Sequence, residues 1–304
     1  MRMVLIGQAA FGAKVLETLL ANGDEIAAVY TLPDPPKGRP DPVKEAALGR
    51  GIPVIQPKTY KDDQVYEQYT KWAPDLAVMA FVTPIIPARF LAVPAHGTIN
   101  YHPSLLPNHR GASAINWALI MGDGRTGLSV FWPDGGIDTG PILLQKEVAI
   151  GEEDTTGSIY FNHLFPMGVE AMAEAVALIK AGHAPRIEQD ETKATHEPIC
   201  DDKVAAIDWA RPGREVFNLI RGCDPQPGAF TAFKGERIRL FGPRFQQAAG
   251  TETPGTVIAC DDAGIRIALV GGLVTVAKVR GSGGKVSAAE FARQAGLKVG
   301  DRLG

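Results

Sequence analysis

The apolar run Leu76 to Phe81, followed by Val82, sits between Pro74-Asp75 and Thr83-Pro84. A strand with no polar face needs cover on both sides. That is the situation of a parallel strand in an α/β sheet, with crossover helices supplying the cover. Shorter apolar runs at Met3–Ile6, Glu25–Thr31, Pro53–Ile55 and Thr98–His102 alternate with segments of helical spacing at 13–20, 43–50, 62–71 and 84–91. Strand and helix in alternation predict a doubly wound, mostly parallel, Rossmann-like sheet. Further strands are expected at 128–132 and 142–148, with a helix at 113–121 capped by Ser113 and one long helix over 157–181.

The stretch 183–203 has no hydrophobic period and reads as a linker. Beyond it come a helix at 214–221, five short strands at 229–233, 237–241, 255–260, 264–270 and 273–279, and a closing helix at 288–295. Closely spaced short strands with turn residues between them predict a small OB-like β-barrel. The expected division is therefore a catalytic domain over 1–182, a linker over 183–203 and a barrel domain over 204–304.

Charge and cysteine usage narrow the function classes. No run reaches the length of about 20 apolar residues that a membrane span needs, so no membrane role is expected. The apolar start Met3–Ile6 is too short for a signal peptide, and Cys200, Cys223 and Cys260 form neither a zinc pattern nor a disulfide framework. A cytoplasmic protein with no bound metal is expected. Residues 205–304 carry 14 Lys and Arg against 9 Asp and Glu, a net of +5, and the rest of the chain has a net of −8. A basic C-terminal part is suited to an anionic partner, or is a solvated surface.

The chemistry concentrates in residues 100–140. Asn100 and His102 are two apart, so on a strand they share a face, and Pro103 marks the strand's end. That end is where open α/β sheets take ligands. Asp138 lies in the Gly-rich turn Asp134-Gly135-Gly136-Ile137-Asp138-Thr139-Gly140. Each residue alone has an ordinary structural explanation. Together an amide, an imidazole and a carboxylate suit acyl transfer. The amide donates to a developing oxyanion, the imidazole moves a proton, and the carboxylate orients and supports the imidazole. Ser104 is not in a Gly-x-Ser-x-Gly elbow and reads as a turn residue. His109 and Arg110 suit either an anionic group or a solvated loop. The turn Gly7-Gln8-Ala9-Ala10-Phe11-Gly12 has glycines five apart, which matches neither dinucleotide fingerprint nor P-loop. A nicotinamide-dependent oxidoreductase is therefore a remote alternative. A stacking platform on Phe230, Phe233 and Phe241 would make the barrel a nucleic-acid module.

The run Asn100-x-His102-x-Ser104-Leu105-Leu106-Pro107, then Arg110-Gly111 and Asp138-Thr139-Gly140, resembles the signature of the folate-dependent formyltransferase family. The likeness extends to Val4–Gln8, Arg110–Trp117, Leu144–Glu147, Arg221-Gly222, Pro227–Phe230 and Gly296–Asp301. It implies that Asn100, His102 and Asp138 are catalytic. It also implies that 10-formyltetrahydrofolate, the formyl donor, lies against Met79, Ala80, Phe81 and Val82 and against Asp134, Gly135, Gly136 and Ile137, largely through backbone groups, with Ser104 and Arg110 nearby. The acceptor is divided. Pro103, Phe131-Trp132, the run 113–117 and the short loop 32–42 resemble the family's hydrolase domain, which releases formate. Asn100 is similar to the transferases, among them those acting on initiator tRNA, which would then use the basic C-terminal part. Transfer to an amine is the expectation, with hydrolysis as the alternative. With no further domains after residue 304, a complete dehydrogenase reaction is not expected.

Overall fold

The computed structural model describes residues 1–250 and 252–304. Seven strands form the first sheet: β1 (Arg2–Gly7), β2 (Glu25–Tyr30), β3 (Val54–Ile55), β4 (Leu76–Ala80), β5 (Thr98–His102), β6 (Arg125–Phe131) and β7 (Ile142–Ala149). Their order is β3-β2-β1-β4-β5-β6-β7. The strands β3 to β5 are parallel, and β6 runs antiparallel to β5. All five residues of β4 are buried, as an apolar run without a polar face requires.

Helices α1 (Ala9–Ala21), α2 (Pro42–Leu48), α3 (Asp63–Lys71) and α4 (Ala88–Leu91) connect these strands. Asp41 and Asp62 cap α2 and α3, accepting from Val43 N and Gln64 N, which satisfies donors the helix itself leaves unpaired. Helix α1 begins two residues after β1 ends, earlier than its periodicity suggests. A Cβ on Gly7 would stand 2.7 Å from Ala80 O, so the turn there needs glycine for close packing against β4. One face of the sheet is sealed by a cluster joining Val4, Ile6, Ala28, Tyr30 and Met79 to Tyr60, Tyr69, Ile86 and Phe90.

Helix α4 keeps only the end of the expected 84–91, the strand expected over 237–241 runs Glu236–Gln247, and two further elements differ in kind. Helix α5 is Ala114–Ile120, and Ser113 caps it by position but makes no side-chain cap bond; its hydroxyl accepts from Cys200 N instead. The long helix expected over 157–181 is interrupted. It comprises α6 (Thr156–Ile159), a π-turn at Tyr160–Leu164 and α7 (Phe165–Lys180). Pro166, in the first turn of α7, has no N–H to continue the preceding ladder.

The remaining elements are α8 (Gly213–Gly222), β8 (Phe230–Phe233), β9 (Glu236–Gln247), β10 (Val257–Asp261), β11 (Gly264–Leu269), β12 (Gly272–Gly281), β13 (Gly284–Ser287) and α9 (Ala288–Ala295). They build an antiparallel sheet ordered β10-β11-β12-β9-β8, with β13 added to β12. Among the described residues no pairing joins β10 to β8, so the sheet does not close into a barrel. Strand β13 is four mostly exposed residues around glycines and carries little pattern. The core under this sheet is Trp209, Val216, Phe217 and Ile220 against Leu240, Val274 and Val276. It also contains Cys200 and Cys223, free thiols whose sulfurs lie 3.7 Å apart although 23 residues separate them.

The chain forms two compact units. One is 1–111, 127–147 and 163–196; the other is 112–126, 148–162 and 197–304. The division between residues 196 and 197 falls inside the segment expected to be a linker. Its first part is not slack. Ile187 pairs with Ile142, Thr195 N donates to Pro107 O, and Arg110 N donates to Thr195 O.

Candidate active site

Strand β5 sets the site. Asn100 pairs with Met79 on one side and Phe131 on the other, and His102 pairs with Ser129. The two side chains share the sheet face on which Met79 lies. After His102 the chain is locked by a small network. Ser129 Oγ donates to Ser104 O at 2.7 Å and accepts from Leu106 N and Gln145 Nε2. Gln145 Nε2 also donates to Leu106 O, and Ser104 Oγ donates to Asn108 O at 2.6 Å. Ser104 is fully buried, so its hydroxyl holds the loop.

His102 is 5% exposed. Its Nε2–H donates to His109 O at 2.8 Å, and its Nδ1 stands 3.4 Å from Asp138 Oδ2. The same carboxylate oxygen accepts from Gly111 N at 2.8 Å. One ring nitrogen is thus fixed by a backbone acceptor and the other faces a carboxylate. The 3.4 Å separation is an ion-pair distance, and such contacts tighten when a reacting complex forms. Asn100 is half-buried, and its Oδ1 is buried with no hydrogen-bond partner. A buried amide oxygen left unmatched costs about 1–3 kcal/mol.

The hairpin between β6 and β7 carries Asp138. Asp134 Oδ1 accepts from Gly136 N at 2.9 Å and from Thr139 Oγ1 at 2.6 Å, which closes the turn. Asp138 adopts a left-handed backbone at φ 56°, a conformation that Asp tolerates better than most residues. A Cβ on Gly140 would lie 1.8 Å from Trp132 O, so the two arms meet through bare backbone. Gly140→Ala is expected to lower stability by about 1–3 kcal/mol, the usual range for forced overpacking. A chemical-denaturation midpoint equal to wild type would contradict that contact.

The other expected ligand residues are placed as follows. Met79 and Ala80 are buried, with the Met79 side chain in the cluster under the sheet and Ala80 O already accepting from Gln8 N. Phe81 leaves the strand at φ 61° with its ring 44% exposed, and Val82 is half-buried. Gly135, Gly136 and Ile137 are exposed on the turn. Arg110 is buried, and its guanidinium is engaged by residues of 183–203. It holds Glu191 through two bonds, at 2.9 and 2.6 Å, and reaches Gln189 Oε1 at 2.7 Å. The hydrogen bond from Arg110 holds the Glu191 carboxyl below its ordinary range. Gln189 and Glu191 come from the aperiodic stretch 183–203, where no spacing marks a functional residue.

A formyl transferase family model matches residues 1–176, and its C-terminal domain model matches residues 201–296. The chain is 45% identical over 249 residues to mitochondrial 10-formyltetrahydrofolate dehydrogenase from Mus musculus, spanning 80% of this chain and 27% of that protein. It is 36% identical to methionyl-tRNA formyltransferase from Geotalea daltonii, across all of this chain and 98% of that one. In fold it is similar to HypX from Aquifex aeolicus, solved in complex with tetrahydrofolic acid, with a TM-score of 0.71, 19% identity and 98% of this chain matched to 48% of that one. Strand register, turn and family models converge on one assignment: this chain belongs to the formyl transferase family.

Proposed function

We propose that the chain takes the formyl group of 10-formyltetrahydrofolate and passes it to an amine. The observation that carries this reading is the arrangement of His102 between His109 O and Asp138, beside an Asn100 amide whose oxygen is unmatched. The amine nitrogen attacks the formyl carbon, and Asn100 Nδ2 donates to the oxyanion that develops. The C–N10 bond then breaks. For the proton lost by the amine to return to N10 through His102, the ring must leave its bond to His109 O, with Asp138 supporting the charged form. The pterin would lie along the backbone of Met79–Val82 and the Asp134–Asp138 turn.

For the acceptor, initiator tRNA is supported by cations stacked on aromatics in the C-terminal sheet. Lys285 and Arg280 lie 3.6 and 5.3 Å from the Phe241 ring centre, and Arg237 lies 4.1 Å from that of Phe230. Burial, with Lys278 and Arg280 nearby, lowers Lys285 below the ordinary lysine range. The charges suit a nucleic-acid backbone, but Phe233 and Phe241, 7% and 1% exposed, are core and give no stacking platform for bases. Water in place of the amine gives formate and tetrahydrofolate, a reading favoured by the higher identity to the dehydrogenases. Three free thiols suit a reducing cytoplasm.

The test is to follow a labelled formyl carbon from 10-formyltetrahydrofolate, with and without methionyl initiator tRNA. Label in acid-precipitable RNA is expected. Label only in formate would replace transfer by hydrolysis, and label retained on the folate would sink both.

A further inference from the structure

We propose that Gln189 is a positioning residue for the Asp138–His102 pair, braced by Arg110 and Glu191. This assignment rests on the reading above for its role in turnover. Gln189 Nε2 donates one hydrogen to Asp138 O at 2.8 Å and the other to Gly140 O at 2.7 Å. It therefore grips the carbonyl of Asp138, where the turn goes left-handed, and that of Gly140 two residues on. Its Oε1 accepts from Arg110 Nη2 at 2.7 Å and Nε at 3.3 Å. The amide has one workable orientation: flipped, its oxygen would face two carbonyls and its NH2 a guanidinium. Arg110 is in turn locked by both oxygens of Glu191.

The brace closes on the reacting groups. Arg110 lies between His109, whose carbonyl takes the His102 Nε2 proton, and Gly111, whose N–H holds Asp138 Oδ2. Three consecutive residues thus fix imidazole and carboxylate, and Gln189 ties those residues to the backbone of the Asp138 turn. His109 N donating to Thr195 Oγ1 holds the same two segments side by side. An exposed ion pair such as that made by Glu191 contributes little stability by itself. Its value here is orientation. A displacement of about 1 Å in a reacting group lowers rate by about 100-fold, and a non-glycine residue at positive φ stays there only when its neighbours hold it.

Gln189→Glu tests the role. The side chain keeps its size and its acceptor toward Arg110, but it sets an oxygen against the carbonyls of Asp138 and Gly140. The variant is expected to lose about 10- to 100-fold in kcat, with KM for the folate changed by less than about threefold. Its denaturation midpoint stays near wild type, because the new carboxylate pairs with Arg110. In a His102→Ala background the same change is expected to move kcat by less than about twofold, since the brace acts through the pair. The 1H–15N signals of the His102 ring are expected to shift in Gln189→Glu, a readout that needs no turnover. Gln189→Glu with wild-type kcat, an equal loss in both backgrounds, or unmoved His102 signals would each overturn the proposal. A wild-type chain that leaves formyl on the folate would overturn the functional reading instead, and the ring signals would then decide the brace alone.

Discussion

His102→Ala is expected to lower kcat by about 100- to 10,000-fold, the range spanned by a positioned acid–base group, while tetrahydrofolate binding changes by less than about threefold. The asymmetry comes from where the ring sits. It is almost wholly buried, with Nε2 donating to His109 O and Nδ1 facing Asp138. The pterin's expected contacts are instead the backbone of Met79–Val82 and the 134–138 turn. In the proposed reaction the ring moves a proton between the attacking group and the leaving nitrogen. Steady-state kinetics with 10-formyltetrahydrofolate and calorimetric titration with tetrahydrofolate separate the two quantities. A variant within about tenfold of wild type in kcat would remove His102 from the proton path. Loss of binding with kcat retained would instead make it a ligand residue. Leaving the His109 carbonyl without its donor costs about 1–3 kcal/mol, less than the roughly 5–15 kcal/mol that holds a native domain, so the folded state should survive the change.

Much of this was legible because the decisive patterns are local. An unbroken apolar run must be buried on both faces, and Leu76–Ala80 is. The i, i+2 spacing of Asn100 and His102 puts them on one face whatever else the chain does, and Thr98–His102 has the expected bounds. Asp138 could be tied to His102 because a Gly-rich turn between two strands returns to the sheet it left. What local pattern cannot express is long-range polar pairing. Gln189 and Glu191 bond to Arg110 across 79 and 81 residues, and nothing in 183–203 repeats. Arg110 suits either an anionic group or a solvated loop when read from the sequence, and its engagement by Gln189 and Glu191 shows only in the fold. The break in the helix at 160–164 was hidden for a related reason. The apolar stripe through Ile159, Leu164, Val169, Met172, Val176 and Ile179 continues across it, so periodicity alone reads one helix.

Asn100→Ala is expected to divide activity from stability. If its amide supports the oxyanion, kcat falls by about 100- to 1000-fold, the loss seen when one preorganised donor is removed from such a site. Stability should hold or rise. The amide oxygen is buried and accepts nothing in the folded chain, so alanine removes a group that the fold desolvates without compensation. Residues that exist for packing behave in the opposite way, losing stability on truncation. Asn100→Asp sharpens the test. It keeps the shape but replaces the donor by an oxygen, which opposes negative charge developing beside it, so its rate should be no better than that of alanine. Denaturant unfolding and kcat on the same preparations read both effects. A wild-type rate in Asn100→Ala would sink the oxyanion role. An unfolding free energy lowered by more than about 1 kcal/mol would show that the amide serves the fold, because an unmatched acceptor has no bond to lose.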